Sequence, residues 1–369
     1  MTFGDELKKL DWNSEKLSLY GKTAKDVERA LSKQHRDAED FKALISPAAA
    51  PYLETMAQMS HALTQQRFGR TQQFFAPLYL SNACANICTY CGFSMENHLR
   101  RKVLARDEIE REAQALRARG FQHILLVTGE APKIVGVDYF EAALKQLTPH
   151  FAQISMEVQS LSEPEYARLM KQGLHSVLVY QETYHRHTYA QHHPKGNKAN
   201  FDYRLDTMDR LGRTGVHKMG LGVLLGLTDW RADSVMAAHH LRYLERTYWR
   251  SRFSISFPRL RPAEGDYQTL HPIADAELVQ LICAWRLFSP DVELSLSTRE
   301  RAAFRDQLIP LGITALSAES KTQPGGYAVD ADKALEQFEI DDTRPLEHVV
   351  TAVQAKGYET VFKDWQTGW

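Results

Sequence analysis

From Thr71 onward the chain alternates short β-prone apolar runs with amphipathic helical stretches, and this alternation limits the possible folds more than any other feature. The runs are Phe74–Leu80, His123–Thr128, Gln153–Val158, Ser176–Gln181, Lys218–Leu225, Phe253–Phe257, Val292–Ser297 and Ile313–Leu316. Helical patterning fills the gaps at Asp107–Arg119, Tyr139–Leu147, Glu163–Gln172, Tyr203–Arg213, Ala232–Tyr248, Asp275–Phe288 and Arg299–Gln307. Gly120, Gly173 and Gly215 stand just past three of these stretches, where a left-handed residue ends a helix at little cost. Eight strands with intervening helices predict an α/β chain whose parallel sheet closes into a (β/α)8, TIM-type barrel over residues 71–320. An open doubly wound sheet is the rival arrangement.

Residues 1–70 read as a helical N-terminal region, with Thr23 placed to cap one helix and Ala48 to Thr64 continuing at helical spacing. Residues 321–369 read as a C-terminal tail covering part of the barrel, with one or two short helices between Pro324-Gly325-Gly326 and the aromatic end Asp364–Trp369. With 43% hydrophobic and 25% charged residues, the composition is that of an ordinary globular protein. Basic and acidic residues balance at 45 against 46, which argues against a nucleic-acid partner. The apolar run Gly220 to Leu227 is far short of the ~20 residues that cross a membrane. The first residues, Met1 to Lys16, lack the apolar core of a secretion signal, so the expected address is cytoplasmic.

Only four cysteines occur, too few for a disulfide framework in a chain of 369 residues. Three of them form Cys84-x3-Cys88-x2-Cys91 immediately after the first strand. Barrel chemistry sits at the C-terminal ends of strands, so this loop is well placed. Clustered thiolates suit soft metals or an iron–sulfur cluster. A closed zinc site wants a fourth ligand, for which His98 is one candidate. Cys283 lies in an apolar helical run and reads as a small buried hydrophobe.

The cysteine spacing, with Tyr90 before the last thiol, resembles the signature of the radical S-adenosylmethionine enzymes. Further elements follow in the order of that superfamily. Thr128-Gly129-Glu130 is similar to its Gly-Gly-Glu element, with Thr replacing the first Gly. Tyr180-Gln181-Glu182-Thr183 resembles its acidic element, Arg204 matches an arginine that holds the methionine carboxylate, and Gly222-Val223-Leu224-Leu225-Gly226 resembles the strand beside the adenine. The segments His193-Pro194-Lys195-Gly196, Ser297-Thr298-Arg299-Glu300 and Pro324-Gly325-Gly326-Tyr327 narrow the resemblance to the aromatic amino acid lyase branch. Hydrogenase-maturing members of that branch carry a second cysteine-bound cluster near the C-terminus, whereas residues 284–369 contain no cysteine. The resemblance is therefore to the tyrosine lyases of the thiazole pathway, with a tryptophan lyase or a zinc-stabilised, non-catalytic barrel as alternatives.

The resemblance implies a [4Fe–4S] cluster on Cys84, Cys88 and Cys91, and S-adenosylmethionine held by Tyr90, Gly129, Glu130, Glu182, Arg204, Gly222, Leu224 and Gly226. It implies scission of the Cα–Cβ bond of L-tyrosine, thiazole synthase as protein partner, and a flavodoxin-type reductant. Arg299, at the end of the seventh strand, is expected to bind the tyrosine carboxylate, although the stretch it shares with Glu300 and Arg301 also suits a helix cap. Ser317 and Ser320 are expected either to add hydrogen bonds to the substrate or to be ordinary loop hydroxyls. Alternation leaves Glu157 facing either the barrel interior or the outside, and His185, His187, His192 and His193 read as polar loop or pocket groups.

Overall fold

The computed structural model describes residues 2–265, 267–329 and 332–363; the aromatic end Asp364–Trp369 lies outside the described residues. The strands are β1 (Thr71–Ser81), β2 (His123–Thr128), β3 (Gln153–Glu157), β4 (Leu174–Leu178), β5 (Lys218–Gly222), β6 (Arg252–Ser256), β7 (Glu293–Leu296), β8 (Ala315–Ser317) and β9 (Glu359–Val361). The first eight form a closed ring. The order runs from β2 through β8 to β1, and β1 pairs back onto β2. Every pairing is parallel, with β1 using Ala76–Ser81 against β2 and Gln73–Phe75 against β8. The closed barrel, not the open sheet, is what the alternation builds.

The barrel strands pack one face on the surrounding helices and turn the other inside the ring. On β1, Phe74, Ala76, Leu78 and Leu80 join the large outer core, while Tyr79 belongs to a separate inner cluster with Phe93, Leu125 and Val127. The same period of two continues onto β3, where Ile154 and Met156 face the outer core. Glu157 therefore points inward, the choice that the alternation alone left open.

Several expected boundaries shift: β4 is Leu174–Leu178 rather than Ser176–Gln181, the expected helix Tyr203–Arg213 is two helices, Phe201–Leu205 and Thr207–Thr214, and the helix expected from Arg299 starts at Ala302. β5 ends at Gly222 rather than Leu225, because residues 223–229 turn away into the loop that leads to the helix Trp230–Thr247. The tail holds a ninth strand that the sequence pattern does not display. β9 pairs in parallel with Thr71–Gln73 of β1, but three residues are too few to show alternation. The helix ends are as expected, with Gly120, Gly173 and Gly215 all at positive φ. Cys283 is fully buried on the helix Asp275–Phe288.

The N-terminal helices cover the barrel's outer helices. Leu53–Phe68 and Ala38–Ile45 pack on Asp275–Phe288, and Trp12–Tyr20 packs on Trp230–Thr247. The tail is tied down by charge. Arg305, on the helix after β7, pairs with Asp342 of the tail and donates to the carbonyl of Ser317, and the two ionised side chains are 2% and 0% exposed. Removing one partner leaves the other charge buried without compensation. Asp342→Ala should therefore cost about 3–5 kcal/mol of stability. Asp306→Ala, which breaks a more exposed pair with Arg344, should cost under about 1 kcal/mol. Denaturant midpoints of the two variants check the difference.

Candidate functional site

A chamber opens at the C-terminal end of the barrel. Cys84, Cys88, Cys91, Tyr90, Gly129, Glu130, Glu182, Arg204, Leu224, Arg299, Ser317 and Ser320 all line it. Gly222 and Gly226 do not. A Cβ on Gly222 would lie 2.8 Å from the Tyr180 ring, so this glycine makes room for an aromatic that itself lines the chamber. Gly226 takes φ +119 in the following loop.

The cysteine loop is held by backbone bonds rather than by regular structure. Ile87 N–H donates to Lys195 O (3.0 Å), and Thr89 N–H to His192 O (3.2 Å), so the loop after β4 lies across it. Tyr90 Oη donates to Nε2 of His193 (2.6 Å), whose Nδ1–H is given to Tyr189 O (2.8 Å). Burial pushes His193 down to about 2, which keeps the ring neutral and its Nε2 an acceptor. The histidine cluster thus contributes a loop clamp.

Arg101 supplies the other clamp. Its guanidinium donates to Asn82 O (2.8 Å), Phe93 O (2.8 Å), Ser94 O (2.6 Å) and Asn97 O (3.3 Å), gathering four carbonyls around the cysteines. Gly129 allows the next strand's end to come close. A side chain there would run into the carbonyl of Ala83 and the Cβ of Cys84. Burial pushes the thiols of Cys84 and Cys88 up. Such thiols ionise when a metal is bound to them.

Beside the thiols lies a corner of two acids and two bases. Arg204 Nη1 is 3.0 Å from Glu130 and Nη2 is 3.4 Å from Glu182, while Nε donates to Tyr180 O (2.7 Å). Lys198 Nζ is 2.7 Å from Glu182. Asn86, between the first two cysteines, donates to Glu130 (2.9 Å). Burial alone would raise Glu130; the charges of Arg204 and Lys198 outweigh it and hold the carboxyl below its usual range. Glu182 sits at φ +67, a left-handed backbone unusual for a non-glycine residue. Its carbonyl accepts from Leu224 N–H (2.8 Å), which couples the acidic element to the loop after β5. Such a corner offers both signs of charge, as the amine and carboxylate of an amino acid require.

At the far side, Arg299 stacks its guanidinium 3.5 Å from the Phe338 ring and donates to Arg259 O (3.3 Å). No carboxylate among the described residues pairs with it. Ser320 Oγ donates to Ser317 Oγ (3.2 Å), which in turn accepts from Thr298 N–H (3.2 Å). Glu300 pairs with Arg259 instead, a structural use. Sequence reasoning missed Asn86, Arg101, Lys198 and Gln337. Gln337 Nε2 lies 3.5 Å from Cys91 Sγ, and its Oε1 accepts from Tyr79 Oη (2.8 Å). Asn86, Arg101 and Lys198 stood near recognisable motifs; Gln337 arrives from a distant segment that carries no local signal.

Residues 78–238 match the Radical SAM superfamily, and residues 256–359 match the Biotin and Thiamin Synthesis associated domain. The chain is 54% identical over 367 residues to the 2-iminoacetate synthase of Escherichia coli (strain K12), covering 99% of this chain and 97% of that protein. It belongs to the 2-iminoacetate synthase family. A second family member, from Salmonella typhimurium, is 53% identical over 99% of this chain and 97% of its own length. Among solved structures, the [FeFe]-hydrogenase maturase HydG superposes with a TM-score of 0.89 at 30% identity, covering 97% of this chain and 80% of that one. Methylornithine synthase (PylB) shares the fold, with a TM-score of 0.73 at 17% identity, covering 91% of this chain and 97% of that one.

Membership in the radical S-adenosylmethionine superfamily implies a [4Fe–4S] cluster and S-adenosylmethionine. The donor set fits. Three thiols of one loop line one chamber. Three thiols suit a cluster with one iron left to a non-protein ligand. Arg101→Ala should lower the iron and sulfide bound after anaerobic reconstitution while far-UV circular dichroism stays unchanged. Arg101→Lys should recover only part, since one ammonium does not span four carbonyls.

Proposed function

We propose that this chain is a radical S-adenosylmethionine tyrosine lyase. It breaks the Cα–Cβ bond of L-tyrosine and yields 2-iminoacetate and 4-methylphenol, the former for the thiazole of thiamine. The observation that carries this reading is one continuous chamber. The cysteine thiols, the Glu130, Glu182 and Arg204 corner and Arg299, which has no carboxylate partner, all line it, in a chain 54% identical to 2-iminoacetate synthase.

Cys84, Cys88 and Cys91 are the residues for the cluster, which together with S-adenosylmethionine supplies a 5′-deoxyadenosyl radical and leaves 5′-deoxyadenosine and methionine. The acid–base corner orients the methionine end of S-adenosylmethionine, and Tyr90 and Leu224 line the space beside it. Arg299 binds the tyrosine carboxylate, for which a planar guanidinium provides two parallel donors. Ser317 and Ser320 offer hydroxyls to the same end. Phe75, Leu125, Val127 and Leu178 line the chamber floor and exclude water, which would otherwise quench reactive species. The product imine hydrolyses readily, which supports direct transfer to thiazole synthase. A flavodoxin-type protein is the proposed electron donor and the cytoplasm the proposed compartment. No helix among the described residues is long and apolar enough to cross a membrane.

Anaerobic incubation with dithionite, S-adenosylmethionine and tyrosine should release 4-methylphenol together with 5′-deoxyadenosine. Cys88→Ala should bind no cluster and form neither product. Arg299→Ala should raise the KM for tyrosine on the order of tenfold to a hundredfold, the worth of a charge-assisted pair. Product from tryptophan with none from tyrosine would replace the substrate assignment.

A further inference from the structure

The chamber holds three carboxylates, and they differ in one respect. Glu130 is engaged by Arg204 and Asn86, and Glu182 by Lys198 and Arg204. The third, Glu157, lines the same chamber, yet its carboxylate accepts no hydrogen bond from a described residue and forms no ion pair with one. Arg299 is its counterpart, a chamber-lining guanidinium with no carboxylate partner. A carboxylate and a guanidinium that line one cavity, each without a partner of opposite charge, call for something else to satisfy them.

Their positions answer each other. Glu157 ends β3, and Arg299 follows β7. In the ring order β3 and β7 stand four places apart among eight strands, so the two side chains enter the mouth from opposite sides. They are nonetheless close enough for the charge of Arg299 to act on Glu157. A negative group facing a positive group across a cavity is the complement of an amino acid zwitterion.

We infer that Glu157 receives the α-ammonium group of the amino acid substrate while Arg299 holds its carboxylate. This rests on the tyrosine reading above and deepens it. Burial first, and Glu182 second, push the Glu157 carboxyl up to about 7, against the lowering pull of Arg299, Lys198 and Arg204. An ammonium cation held against Glu157 supplies the opposite charge that this carboxyl lacks and favours its ionised form.

The test compares two ligands that differ only in the amine. Equilibrium binding of L-tyrosine and of 3-(4-hydroxyphenyl)propanoate to the reconstituted, S-adenosylmethionine-loaded enzyme is measured anaerobically by calorimetry. The wild type should prefer tyrosine. Glu157→Gln should weaken tyrosine by about tenfold or more and leave the amine-free acid within about twofold, as expected for loss of a charged hydrogen bond. Arg299→Ala should weaken both. Retained binding of the amine-free acid also shows that the Glu157→Gln site is folded. Equal weakening of both ligands, or of neither, in Glu157→Gln overturns the assignment of the amine. A wild type that binds the amine-free acid but shows no affinity for tyrosine overturns the tyrosine reading itself.

Discussion

Closure of the ring through β1 governs everything at its mouth. Ala76 to Ser81 meets β2 while Gln73 to Phe75 meets β8, so the phase of inward and outward residues is transmitted around eight strands. The strand period is two, and a slip of one residue would exchange the faces. Glu157 would then point into the packed outer layer where Met156 now lies, an outcome that burial of an unpaired charge forbids. The polar floor strengthens the register. Lys218 pairs with Glu293 at 2.9 Å across the lower barrel, and Ser155 shares a 2.5 Å bond with Ser176. These contacts form only in the observed phase.

Within the mouth, charge is arranged in two neutral groups. Glu130, Glu182, Arg204 and Lys198 satisfy one another without a ligand. The pair of Glu157 and Arg299 does not. A preorganised, internally satisfied corner costs little to keep in shape and still offers donors and acceptors to an incoming zwitterion. On the proposed reading, the open pair leaves its electrostatic demand to the substrate. The left-handed backbone of Glu182 belongs to the same economy of shape. The strain of that conformation is held by Leu224 N–H on its carbonyl and by Lys198 and Arg204 on its side chain.

How far this was legible in the sequence follows the range of the interaction. β2 was readable to the residue, because six consecutive β-prone positions sit between a glycine turn and a polar turn. The three thiols, Glu130, Glu182 and Arg204 were readable because the superfamily spacing puts each at a strand end or on the following helix. Gly222 was readable as a required glycine but not for its reason, which is the ring of Tyr180 on the neighbouring strand's extension. Lys198 and Gln337 were not readable. Each reaches the chamber from a segment without strand or helix periodicity, and only the folded barrel brings them to Glu182 and Cys91. β9 escaped because its pairing partner lies almost 290 positions away (Thr71 against Glu359).

Gln337 shows why the tail cannot be a passive cover. Its backbone carbonyl accepts from Gly92 N–H at 3.0 Å and its N–H donates to Thr322 O at 2.9 Å, while its side chain bridges Tyr79 and Cys91. A Cβ on Gly92 would lie 2.5 Å from that same carbonyl, so the approach of tail to cysteine loop requires a glycine there. Phe338, the next residue, gives Arg299 its stacking face. One short segment therefore touches both the thiols and Arg299. Arg305 and Asp342 fix that segment from behind, and Arg305 also holds the carbonyl of Ser317. Displacing the tail would loosen the cysteine loop after β1 and unseat Arg299 after β7 together, which makes these two parts of the chamber, separated in the ring only by β8, one mechanical unit.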